Sequence, residues 1–190
     1  MKKLLTCLPL IVTLFVVGQT QAPYEIKSAK IDFVFNNGLQ LGTKTLIFTD
    51  SGKIEKAVAA TEIDTSFFKN MSKEFNENLG ASKTMIIQTQ DSVFTIDLKK
   101  LTGTKRQRIN VGIPSFPDEQ KKKTVTDSFL NRECEIVDFH SFKIWYWKGI
   151  AVKKEMVIDA THKIYEYATS IDEDYIIKAE DFEVPDNVKI

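Results

Sequence analysis

Alternation dominates the chain from residue 30 onward. Ile31, Phe33 and Phe35 fall on one parity and Lys30, Asp32 and Asn36 on the other, the period-two signature of a half-buried strand. Asn36-Asn37-Gly38 turns the chain into a second strand over 41–49, and Asp50-Ser51-Gly52 turns it again into a third over 53–61, which together predict an antiparallel meander. The period then changes. Phe68, Met71, Phe75 and Leu79 recur every three or four residues, Asp64 or Thr65 can cap the start and Gly80 can end it, so 64–79 is expected to be the one main helix.

Strands resume over 83–90 and 92–98, with Gln90 and Asp91 at the turn between them. From 99 to 123 the chain is rich in Lys, Arg, Gly, Pro and Ser and reads as a long connection with a short helix at its end. Segments 133–139, 141–148, 150–159, 163–171 and 175–179 alternate or run apolar, each about a strand long. Phe182 and Val184 anchor an extended tail before Pro185. No repeat appears, and no linker is long enough to require two domains. About ten strands and one helix predict a mainly β (α+β) fold, a strongly curved antiparallel sheet or incomplete barrel with the helix over its concave side.

One segment departs from simple alternation: FKIWYWKGIAVKKEM, Phe142 to Met156. Trp145 and Trp147 share one face of a strand while Ile144 and Tyr146 occupy the other, so both faces there are partly covered, as they are at Leu46 to Phe48. The helix is expected on one side, and a loop, a partner or a ligand on the other. Gly149 can mark a bulge or a turn.

The N-terminus changes the charge balance. Lys2 and Lys3 precede an apolar run of about ten residues, Leu8 to Val17, and then small and polar residues, the pattern of a secretory signal and too short to span a bilayer. Residues 1–18 are expected to be that signal, with cleavage between 18 and 22, leaving 19–190 as a single domain without a transmembrane segment. Taking Lys2 and Lys3 from 26 bases against 26 acids leaves a net charge of about −2, which argues against nucleic acid as a partner. Cys7 goes with the signal. Cys134 alone remains, so no intrachain disulfide forms and the fold rests on its core.

Signatures of chemistry are sparse. The chain has no G-x-S-x-G, H-E-x-x-H, C-x-x-C or calcium-loop motif, and Gly38, Gly42 and Gly103 lack phosphate-loop spacing. His140 and His162 are its two imidazoles, and Cys134 with His140 forms a nucleophile pair only if folding joins them. Asp172, Glu173 and Asp174 read as a solvated turn, and the basic stretches 99–108 and 121–123 as solvated loops. No enzyme, cofactor or metal is expected. The sharpest functional idea is that Phe33, Phe35, Trp145, Trp147 and the helix residues Phe68, Met71 and Phe75 line a cavity for an acyl chain or other apolar ligand. Core packing is the other reading of the same rings.

The strings GLQLGTKTLIFTDSGKIEKA, SVFTIDLKKLTGTK, ECEI with WYWKGIAVKKEM, and EDFEVPDNVKI together cover most of the mature chain. They resemble a family of uncharacterised secreted proteins of Gram-negative bacteria, grouped with the LolA/LolB-like outer-membrane lipoprotein carriers. The resemblance implies an unclosed, strongly bent sheet with helices over its mouth and an apolar interior, which in LolA holds lipoprotein acyl chains. The expectation is therefore an exported protein of the periplasm or outer membrane that binds a lipid or lipoprotein acyl chain. The alternative is a structural or interaction module that docks another envelope protein.

Overall fold

The computed structural model describes residues 24–63, 81–108, 125–139, 142–158 and 163–190. Its turns set the topology. Asn37 accepts the N–H groups of Leu39 (3.0 Å) and Gln40 (2.8 Å) on its side-chain oxygen, while Gly38 takes a φ of +87°, so β1 (Ala29–Asn36) returns as β2 (Gln40–Thr49). Leu130 and Asn131, and likewise Lys148 and Gly149, both take positive φ, as two-residue hairpin turns matched to strand twist require. They close the hairpins β7 (Val125–Phe129) to β8 (Arg132–Asp138) and β9 (Phe142–Trp147) to β10 (Ile150–Val157).

With β3 (Ile54–Ile63), β4 (Ser82–Gln88), β5 (Ser92–Asp97), β6 (Thr102–Gln107) and β11 (Lys163–Asp172), these strands form one 11-stranded antiparallel sheet. Its order is β6-β5-β4-β3-β2-β1-β11-β10-β9-β8-β7, with β1 and β11 paired at the centre and β6 and β7 as the outermost strands, β6 bridged on its outer side to the tail through Thr102 and Lys189.

Such a wide sheet is not buried by one layer, and its two halves bury opposite faces. On the front face, Ala29, Ile31 and Phe33 of β1 align with Phe48, Leu46 and Lys44 of β2, and the cluster continues through Ala168, Val152, Ile150, Trp147, Trp145 and Cys134. Residues 24–28 run across the end of this cluster: Tyr24 N–H donates to Ser51, Ser51 N–H to Lys27, and Glu25 N–H to Lys148. Tyr24 packs edge-on against Phe48 with ring centroids 4.5 Å apart. On the back face, Met85 and Ile87 of β4 and Ile96 of β5 are covered by the C-terminal tail through Phe182, Val184 and Val188. The tail ends against β6, where Gly103 N–H donates to Lys189 (2.8 Å) and Lys189 N–H to Leu101 (3.0 Å). At the crossover between the halves, β2 buries both faces, which is why Leu46, Ile47 and Phe48 are an unbroken apolar run.

Several expectations are corrected. The mainly β (α+β) fold with one main helix over a curved sheet or incomplete barrel is overturned: among the described residues the sheet is open and no α-helix covers it. The 3-10 turns Asp50–Gly52 and Ala179–Phe182 are the helical pieces there, and cover comes from the chain's own terminal segments. The LolA-like arrangement of helices over a bent sheet falls with it. The helix expected over 64–79 and the signal expected over 1–18 lie outside the described residues. Part of the supposed connection over 99–123 is strand β6, and β7 went unread because its side chains are exposed as far as Ser128, leaving no alternation. The strand expected over 175–179 is an extended stretch leading into the Ala179–Phe182 turn. No helix among the described residues is long and apolar enough to cross a membrane.

Candidate functional site

Of the seven aromatic and methionine candidates, the structure brings Phe33, Trp145 and Trp147 into one packed cluster, 1%, 6% and 6% exposed. Strand parity makes the two tryptophans cofacial, and cations close over their outer sides. The Lys153 ammonium lies 4.1 Å from the Trp145 ring centroid, and Lys148 and Arg132 lie 4.8 and 5.0 Å from that of Trp147. Trp145 Nε1 donates to Asp127 (3.1 Å), and that bond holds the Asp127 carboxyl below its ordinary range. Glu173 accepts from both Arg132 and Lys148 at 3.2 Å; burial pushes its carboxyl up, but these two bonds outweigh burial and hold it low. The Glu173 carboxylate is thus occupied by ion pairs, and no group of three or more metal-ligating side chains occurs among the described residues.

Phe35 lies elsewhere. Its ring packs on Gly42, directly across the β1–β2 ladder, where a Cβ would overlap the ring and approach the Ala60 carbonyl to 2.5 Å. Beside this contact is an open groove of about 470 Å³ lined by Val34, Phe35, Leu41, Gly42, Thr43, Ala60, Thr61, Glu62, Ala81 and Tyr165. The register explains its floor. Val34 faces Thr43 and Thr43 faces Ala60, three short side chains in a row across neighbouring strands, while Leu41 faces Glu62 in the next row. Tyr165, stacked on Tyr167 with centroids 5.1 Å apart, stands beside them. Small residues flanked by rings leave a depression in a pleated surface. Phe68, Met71 and Phe75 lie outside the described residues, as do His140 and His162. Cys134 is buried, and burial pushes its thiol up from the ordinary value, which disfavours the thiolate.

Two polar groups on the front face were not anticipated. Glu166 of β11, 3% exposed, receives Lys44 of β2 at 2.8 Å on one carboxylate oxygen and Lys154 of β10 at 3.1 Å on the other. Lys44 also stands 4.2 Å from the Phe33 ring centroid. Burial lowers the Lys44 ammonium below its ordinary value despite Glu166; burial likewise pushes Glu166 up, but the two lysines together pull it below the usual carboxylate range. The second group joins β3 and β4, where Glu55 faces Gln88 across the ladder. Tyr24 donates its hydroxyl to Glu55 Oε1 at 2.6 Å, burial raises the Glu55 carboxyl to about 7, and buried Gln88 Nε2 has no hydrogen-bond acceptor among the described residues. A signal for these residues existed in the sequence: Lys44 shares parity with Leu46 and Phe48, Lys154 with Ile150 and Val152, and Glu166 with Ile164 and Ala168.

No protein-family model matches the chain, and no curated protein matches it either.

Proposed function

We propose that this chain is an exported, non-catalytic binding protein of the periplasm or outer membrane that holds an apolar ligand such as a lipid or lipoprotein acyl chain. The observation that carries the reading is the groove over Val34, Thr43 and Ala60, of a size that suits a small ligand and walled by Leu41 and Tyr165. The charge pattern of residues 1–18 and the resemblance to a secreted family support export. Native mass spectrometry of the chain exported by a Gram-negative host, set against its denatured mass, tests the idea. Expected is extra mass that extracts into organic solvent and is lost in Ala60→Trp, which fills the groove floor. A bare mass together with no uptake of an added fluorescent acyl probe would count against it.

A second reading is a protein-interaction module of the envelope. It is favoured by β7, an edge strand that among the described residues pairs only with β8 and whose residues are exposed from Val125 through Ser128, a template for strand addition. A partner captured by the exported chain and lost on Thr126→Pro would favour this reading over the first.

A further inference from the structure

The charge in the groove on β1, β2 and β3 has one sign. Of the residues that line it Glu62 alone is charged, and its other polar side chains are the hydroxyls of Thr43, Thr61 and Tyr165. Glu62 is exposed, and its carboxylate makes no ion pair or side-chain hydrogen bond among the described residues. Asp32, on the same parity as Val34, is committed instead: it accepts from Thr45 at 2.6 Å and from Ser170 at 3.0 Å. Positive charge in these rows stands outside the lining. Lys83 faces Ala60 from β4, and Lys153 faces Tyr167 from β10 and is paired with Glu155 at 3.1 Å.

The ladder gives the groove a direction. Tyr165 faces Asn36, Asn36 faces Leu41 and Leu41 faces Glu62, so the tyrosine and the carboxylate stand at opposite ends of a row that crosses β11, β1, β2 and β3. With strands about 4.8 Å apart, the two ends are about 14 Å from each other. Leu41 lies between them, and the neighbouring row of Val34, Thr43 and Ala60 supplies the low floor alongside. One end of an apolar track is thus aromatic and the other anionic.

We propose that the groove selects, among ligands with an apolar chain, those whose head carries an ammonium group, received by Glu62 while the chain lies over Leu41, Val34 and Ala60 toward Tyr165. The inference rests on the ligand-binding reading of the groove given above and names the class of ligand. An ammonium group has donors and no acceptor, which matches an unpartnered carboxylate. A free fatty acid meets the same carboxylate with a like charge and is disfavoured.

The test compares decylammonium, decanol and decanoate by isothermal titration calorimetry on the full exported chain at pH 7. The three keep the chain and change the charge of the head. Salt of about 0.15 M screens charges more than about 8 Å away, so the comparison reports on the groove rather than on the net charge. Because Glu62 attracts one head and repels the other, decylammonium is expected to bind about tenfold or more tightly than decanoate, with decanol between them. Glu62→Gln should bring the ratio to about twofold or less, and Glu62→Lys should invert it, a change that loss of folding cannot produce. Equal binding of the three, or a preference unmoved by both substitutions, overturns the inference and leaves the groove reading standing. Binding of none, or binding that persists in Ala60→Trp, overturns both. Decylphosphoethanolamine separates two sources of such a head: binding tighter than decylammonium, lost in Lys83→Ala, supports a phospholipid, and weaker binding supports a simple amine.

Discussion

Glu55 allows a prediction whose sign is opposite to the common behaviour of carboxylates. Its neighbours are Tyr24, which donates to it at 2.6 Å, Gln88 opposite it on β4, and the more distant cations Arg108 and Lys44. Burial dominates and raises its carboxyl from 4.5 to about 7. The folded chain therefore holds a proton there across a window in which the unfolded chain has released it. Stability from this group is fully present below 4.5 and is lost as pH rises through 7. At about 1.4 kcal/mol per pH unit the ceiling is roughly 3 kcal/mol; Glu55 retains some solvent exposure, and screening reduces the expected effect to about 1–2 kcal/mol. Glu166 and Glu173, held low by their lysine and arginine partners, push the other way and lose their contribution as pH falls. The total profile mixes these contributions, so the difference between parent and Glu55→Gln is the quantity to measure. Urea unfolding of both chains at several pH values from 4.5 to 8 should show the parent losing about 1–2 kcal/mol relative to the variant as pH rises. Parallel profiles would refute the reasoning. In Tyr24→Phe the bond that lowers the Glu55 carboxyl is gone, and the window should move upward.

How far the fold was legible depended on what each strand buries. β1 reads cleanly because Lys30 and Asp32 stay on the wetter parity while Ala29, Ile31 and Phe33 are buried, and the turns at Asn37–Gly38 and Lys148–Gly149 each set a glycine at positive φ. β7 could not be read, since a mostly exposed edge strand has no reason to alternate. β6 was hidden for another reason. Its partner Ile96 faces Gly103, and the ring of contacts is completed by Lys189 and Ile190, residues far away in sequence. The same non-local contact explains the misassigned cover: Phe182 and Val184 read as a tail anchor, but nothing local says that they, with Val188, lie over Met85, Ile87 and Ile96.

The site divided along the same line. Parity alone placed Trp145 and Trp147 on one face, and the structure adds Phe33 to them and separates Phe35, because β1 carries Phe33 into the cluster and Phe35 onto Gly42. The groove was illegible because it is made by what is small, Thr43 and Ala60, and by a register that brings them beside Val34. The lysines were legible in principle. A charge in phase with an apolar stripe is either an edge residue or a buried one, and only the three-dimensional arrangement brings Lys44 and Lys154 to Glu166 from strands separated in the sheet by β1 and β11.

Three further substitutions test the packing and charge arguments. Gly42→Val places a side chain into the Phe35 ring and against the Ala60 carbonyl, and chemical denaturation should show a loss of about 2 kcal/mol or more, with the groove distorted. Trp145→Ala should cost about 3–5 kcal/mol by the same measurement, since it removes a 6% exposed ring, its bond to Asp127 and its contact with Lys153; a loss below about 1 kcal/mol would mean that the ring is not packed as described. Glu166→Gln is the sharpest of the three, because it leaves Lys44 and Lys154 both buried without a countercharge. Removing one partner of a buried ion pair typically costs about 3–5 kcal/mol, most of it the penalty on the charge left behind rather than the worth of the pair. If that is the source of the loss, replacing Lys44 by Met in the Glu166→Gln background should restore part of the stability, whereas a loss due to missing hydrogen bonds would deepen. Unfolding in urea at pH 7 separates the two outcomes, and a Glu166→Gln chain as stable as the parent would show that the triad is solvated in a way its 3–6% exposures exclude.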